Sequence, residues 1–129
     1  MTQFKPGFRL SKLDIGVLIL GCLGAYYYAK SNLLISFILV FVVGHFFLFC
    51  NVVRMSRVPE LIWAVSFLSM TICSVVFQLF TPETVFSLSL LITSILIYFE
   101  LRKPSYHGLF WKKFNPDLPE WFKNNNLQS

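Results

Sequence analysis

The sequence predicts an all-α integral membrane protein, with four transmembrane helices in a compact antiparallel bundle and an aromatic and basic C-terminal segment at the membrane surface. Three observations predict it. Hydrophobic residues make up 56% of the 129-residue chain and charged residues only 13%, against roughly 25% charged in a soluble domain. Nearly all of the apolar content falls in four blocks, each long enough for a helix of roughly 27 to 36 Å, which matches a hydrocarbon layer of about 30 Å. The basic residues are also sorted: Lys5, Arg9, Lys12, Arg54, Arg57, Arg102, Lys103, Lys112, Lys113 and Lys123 fall on one side of a four-span arrangement, and Lys30 alone on the other. By the positive-inside rule both termini are cytoplasmic.

Start and stop signals bound each block. Ser11 and Asp14 form a Ser-x-x-Asp capping box, which opens a first helix near 12–29. Lys30, Ser31 and Asn32 leave room only for a tight turn before a second helix near 32–55. Pro59, followed by Glu60 at the positive end of the helix dipole, starts a third helix near 59–80. Thr81, Pro82 and Glu83 repeat that logic for a fourth, near 82–102, which ends before Pro104. The first block also has the basic start and short apolar centre of a signal peptide. Tyr26, Tyr27 and Tyr28, however, stand where cleavage wants small residues, and tyrosines suit the aromatic belt of a retained span.

Residues 1–103 are therefore expected to form one transmembrane domain and residues 104–129 a cytoplasmic tail at the membrane surface. The tail alternates aromatic and charged residues around Pro104, Pro116 and Pro119 and has no apolar run long enough to cross. Its expected form is a collar with Phe110, Trp111, Phe114, Trp121 and Phe122 at the headgroup boundary. Disorder is expected in the closing NNNLQS and in the opening MTQFKPGFR.

In lipid, helices associate through small and weakly polar residues, so such residues at helical spacing mark packed faces. Gly21 with Ala25 marks one on the first helix, and Ser36, Gly44 and Asn51 one on the second. The third carries two stripes, Ser66, Ser69 and Cys73 on one side and Ala64, Thr71, Ser74 and Gln78 on the other, and so is expected to be packed on both. The fourth has Ser87 and Ser94 opposite Ser89 and Thr93, although serine and threonine can also bond their own helix carbonyls. More contact faces than a small bundle uses imply self-association or a place among other membrane subunits. Cys22, Cys50 and Cys73 match no metal or redox spacing and read as small buried side chains.

Polar residues out of place stand out in HFFLFCNVVR, residues 45–54. His45 lies roughly 12 Å inside the second span, and an intramembrane ionisable residue is a functional candidate by default. The structural alternative is a neutral imidazole bonded to a side chain of a neighbouring helix. Asn51 suits an interhelical hydrogen bond, and Arg54 a lipid phosphate or a carboxylate. Asn51, Arg54, Arg57, Glu60, Glu100, Arg102 and His107 together make a candidate cluster for an anionic headgroup on the cytoplasmic side, because guanidinium groups grip phosphate and a carboxylate or imidazole can move a proton.

The favoured reading is a non-enzymatic membrane subunit or scaffold whose partners are membrane lipids and copies of itself or other subunits. The alternatives are a transporter or channel subunit gated by His45 and a lipid-headgroup enzyme using the cytoplasmic cluster. Haem would require His45 to pair with its own copy, and no cofactor or metal is expected. The +5 charge is accounted for by topology and anionic lipid and does not indicate nucleic acid. Size and topology are those of small bacterial inner-membrane proteins, which sets the expected location.

Overall fold

The computed structural model describes residues 5–127. Its helices are α1 (Lys12–Ala29), α2 (Leu33–Phe47, continued by a π-helical turn Leu48–Val52), α3 (Arg57–Phe77), α4 (Pro82–Leu101), α5 (Trp111–Phe114) and α6 (Leu118–Leu127), and no strand occurs among the described residues. Four of these stretches, Lys12–Ala29, Leu33–Val52, Arg57–Phe77 and Pro82–Leu101, are long and apolar enough to cross a membrane. The chain divides into two units, Met1–Arg54 with His107–Phe110, and Met55–Tyr106 with Trp111–Ser129.

The first unit is a helical hairpin. The capping box at its start is complete: Asp14 N–H donates to Ser11 Oγ (3.2 Å), while Ser11 N–H and Oγ–H donate to Asp14 Oδ2 (2.7 and 2.6 Å). The turn closes on Tyr28, whose carbonyl accepts from Ser31 and Asn32 N–H, and Asn32 caps α2 by accepting from Ile35 N–H. Ser36 Oγ–H then donates to the Ala25 carbonyl (2.7 Å). A Cβ at Gly21 would lie 2.7 Å from Val43 Cγ2. As the α1 partner moves back from Ala25 to Gly21, the α2 partner moves forward from Ser36 to Val43, so the helices run antiparallel. Absence of a side chain at Gly21 lets them approach this closely.

Gly44 does not share that face. It is exposed, and a Cβ there would meet nothing within 4 Å. A seven-residue step from Gly44 should bring Asn51 to the same side of a regular α-helix. The π-turn inserts one residue, which rotates the rest of the helix by about 100° and carries Asn51 onto the Ser36–Val43 face instead. The second helix also stops short of residue 55, because Arg54 adopts a left-handed conformation (φ 53°) that a helix cannot continue through. Of the cysteines, Cys22 is exposed and Cys50 and Cys73 half-buried. Cys22 sits one residue round from Gly21, off the packed face.

In the second unit α3 packs against α4. The helix begins two residues before Pro59 and ends at Phe77 rather than Phe80, closed by Gln78 in the left-handed region (φ 53°), a common way to end a helix. Ser74 Oγ–H donates to the Phe80 carbonyl (2.7 Å) and holds the loop between α3 and α4. Thr81 caps α4 with Pro82 at its first position. The inward residues of α3 are Trp63 and Phe67, whose rings stack at 5.1 Å, whereas Ala64 and Ser69 are exposed. On α4, Val85, Ser89 and Thr93 are buried and Ser87 and Ser94 exposed. Thr71, Ser87, Ser89, Thr93 and Ser94 each donate to the carbonyl four residues back in their own helix, so these hydroxyls are satisfied locally.

The tail is more ordered than its composition suggests. Asn115 Nδ2 donates to the carbonyls of Pro104 (2.7 Å) and Tyr106 (3.1 Å), the Tyr106 ring meets Phe114 edge-on, and Tyr106 and Leu118 are buried. Phe110 and Phe114 stay exposed. Within NNNLQS, helix α6 continues through Leu127, so Asn124–Leu127 are structured. Gln128 and Ser129, and residues 1–4 at the other end, lie outside the described residues.

Candidate functional site

His45 is buried on α2. Its Nδ1 lies 2.8 Å from the Phe41 carbonyl, an acceptor only, so Nδ1 carries a proton and in the neutral ring the lone pair belongs to Nε2. The Nδ1 proton is thus taken up within the histidine's own helix. Phe41 and Phe49 flank the ring at 4.3 and 5.7 Å between centroids. Sequential i, i+4 spacing through 41, 45 and 49 builds this aromatic stack on one side of the helix.

The candidate cluster residues fall in both units. In the first, Asn51 is 1% exposed. With its amide nitrogen facing the acceptors, it donates to the Arg9 carbonyl (2.5 Å) and to Asp14 Oδ2 (2.8 Å). The Asn51 carbonyl accepts from Arg9 N–H (3.2 Å). Arg54 Nη1 donates to the carbonyls of Lys5 (2.5 Å) and Gly7 (3.4 Å), so its side chain holds the N-terminal segment rather than pairing with a carboxylate. Burial and the neighbouring Arg9 charge lower the affinity of Arg54 for its proton, though a guanidinium stays charged at neutral pH. The His107 carbonyl accepts from Gly7 N–H (2.7 Å), and the Val52 carbonyl from Leu109 N–H (2.7 Å). Segments on both sides of the hairpin are thus sewn to its end.

In the second unit Glu100 is buried and paired with Lys103 Nζ at 2.6 Å, which also donates to Ser56 Oγ (3.3 Å). Arg102 lies over the Tyr98 ring at 4.7 Å. Arg57 is exposed and Glu60 half-buried, both in the first turn of α3. Burial, with the Glu100 carboxylate nearby, pushes the Tyr106 phenol upward.

Arg9, Asp14, Lys103 and Tyr106 join these groups without having been candidates on sequence grounds. Asp14 reads fully as a helix cap, and only the tertiary fold adds Asn51 as its partner. One signal was available for it: Asp14 is the only acidic residue in the first thirty, so any donor from the second helix could find no other carboxylate there. Among the described residues no three His, Cys, Asp or Glu side chains gather to hold a metal ion. Comparison with protein-family models, with curated proteins and with solved structures finds no match for this chain.

Proposed function

We propose that this chain is an integral membrane protein acting as a non-enzymatic subunit or scaffold, through self-association or within a larger complex, in a bacterial inner membrane with both termini cytoplasmic. The observation that carries the reading is the outward face of α3. Trp63 and Phe67 occupy its inner side, while Ser69 is exposed on the far side, where a shallow groove runs beside Val58, Leu61, Ile62, Val65 and Ser66. Small residues facing lipid add little to solvation by acyl chains. They favour close approach of another helix. The arrangement of polar groups supports the same reading over headgroup catalysis: Arg54 is spent on backbone carbonyls, Glu100 on Lys103 and Arg102 on the Tyr98 ring.

Oligomeric state in nanodiscs, measured by native mass spectrometry with any copurifying partner identified, tests the subunit reading. The wild type should give a defined oligomer or complex, and Ser69→Leu should shift it toward monomer. A monomer in every lipid with nothing bound would remove the reading. Membrane placement is tested separately by labelling introduced cysteines: one beside Lys30 should react from the periplasmic side and one beside Arg57 should not.

A further inference from the structure

We infer that the groove at the turn end of α1, lined by Leu23, Tyr26, Tyr27, Lys30 and Ser31, holds the phosphate of a membrane phospholipid. Leu23, Tyr26, Tyr27 and the C-cap Lys30 stand at i, i+3, i+4 and i+7, so they share one face of the helix. At about 100° per residue this face lies roughly opposite Gly21 and Ala25, which pack against α2. The groove has a volume of about 500 Å³, within the range of small-ligand sites. Lys30 Nζ sits 5.7 Å from the centre of the Tyr26 ring, which holds the ammonium beside the groove while leaving its N–H donors to an anion. Tyr27 is braced edge-on by Tyr28 at 5.2 Å, and Ser31 Oγ reaches the Tyr28 carbonyl only at 3.5 Å. An ammonium, two phenols and a hydroxyl therefore line one small space. No carboxylate in this unit is placed to neutralise Lys30. Asp14 is the only acidic residue among 1–54 and 107–110, and it lies at the start of α1, roughly 24 Å away along the helix.

The continuation of this face selects a lipid over a soluble anion. Ile19, Leu20 and Leu23 are 55%, 72% and 61% exposed and carry the same face toward the middle of the candidate span. Further along it, a Cβ at Gly16 would meet nothing within 4 Å. A phosphate arriving with acyl chains gains from that apolar track, and a free ion gains nothing. A second copy of the chain would offer Lys30 a single carboxylate at this end of the spans, Glu83, which already occupies the first turn of α4, where the helix dipole holds it. This inference rests on the membrane placement proposed above, which the cysteine labelling tests on its own, and is independent of the subunit reading.

The test uses the full chain in vesicles of phosphatidylethanolamine and phosphatidylglycerol, doped with a phosphatidylethanolamine that carries a diazirine in its acyl chain. Adducts formed on illumination are mapped by peptide mass spectrometry. Leu90 and Leu91 of α4, comparably exposed and at a similar distance from their helix end, report ordinary contact with bulk lipid. Adducts on Ile19, Leu20 and Leu23 should exceed those on Leu90 and Leu91 about fivefold, the gain expected when one basic residue meets a headgroup phosphate. Lys30→Gln should bring the two helices to parity, and Lys30→Arg should keep most of the excess. Lys12→Gln removes the same charge from the other end of α1 and should change the excess less than about twofold. Equal labelling of the two helices in the wild type would show bulk lipid only and overturn the site, as would an excess that survives Lys30→Gln or falls equally in Lys12→Gln. Labelling of α1 below that of α4 would show the face covered by another copy of the chain and overturn the lipid. Removal of the excess by inorganic phosphate would assign a soluble anion and overturn it equally. Adducts on neither helix would remove the membrane placement, and the site with it.

Discussion

The Asn51 amide meets the Asp14 carboxylate at 2.8 Å and ties the last turn of the second helix to the first turn of the first. One residue is the buried donor, and the other is both its acceptor and the cap of α1. Helix capping and hairpin packing therefore share a single side chain.

Replacing Asn51 with Ala should accordingly cost about 1–3 kcal/mol, the range for removing a buried partner of a charged acceptor. Asn51→Asp should be worse at neutral pH, because it sets a second carboxylate against Asp14, and the excess should fade as the solution is acidified toward the carboxylate range near pH 4. Detergent melting curves for both variants at pH 7 and pH 4 check this. An Asn51→Asp protein as stable at pH 7 as Asn51→Ala would separate the two residues.

Gly21 should tolerate no side chain. A Cβ there would stand 2.7 Å from Val43 Cγ2, so Gly21→Ala should lower stability by about 1–3 kcal/mol through overpacking. Gly44→Ala meets nothing within 4 Å and should be neutral or slightly stabilising, since alanine favours the helix. Measuring the two side by side distinguishes a close approach from a general effect of helix glycines. Equal responses would contradict the packing described.

Tyr106 predicts an alkaline limit. Its folded-state proton affinity is raised by burial and by Glu100, so its contribution is complete below the unfolded value of about 10 and is lost as pH rises from there through the higher folded value. Tyr106→Phe cannot ionise. The stability difference between wild type and Tyr106→Phe should therefore shift against the wild type above about pH 10 and hold constant between pH 7 and 9. A difference that stays constant above about pH 10 as well would remove Tyr106 as the titrating group.

The tail should loosen when its two anchors are cut. Leu118 is 1% exposed, and Leu118→Ala should cost about 2–5 kcal/mol. Asn115→Ala removes both bonds to the Pro104 and Tyr106 carbonyls. Either change should raise the rate of limited proteolysis between residues 111 and 127 several-fold while leaving α1 and α2 intact. An unchanged digestion pattern would mean the tail is held by other contacts.

By itself the sequence determined the class of structure and most element boundaries, because these depend on properties a linear pattern carries. Apolar run length set four helices able to span a membrane, the Ser11–Asp14 box started α1 where the structure starts it, and Thr81-Pro82 started α4. Helix ends governed by backbone exceptions were less legible: nothing in the residue types of Gln78 or Arg54 marks a left-handed conformation, and α2 and α3 stop early there. The tertiary structure alone decided which polar residues meet. A single extra residue in the π-turn at Leu48–Val52 rotates Asn51 away from the Gly44 side and onto Asp14, and periodicity read at a constant 100° per residue cannot see such an insertion. Arg54 likewise found carbonyls 47 and 49 positions away in the chain. Pairings of that kind are created by the hairpin that brings the two segments together, and no spacing rule within either segment contains them.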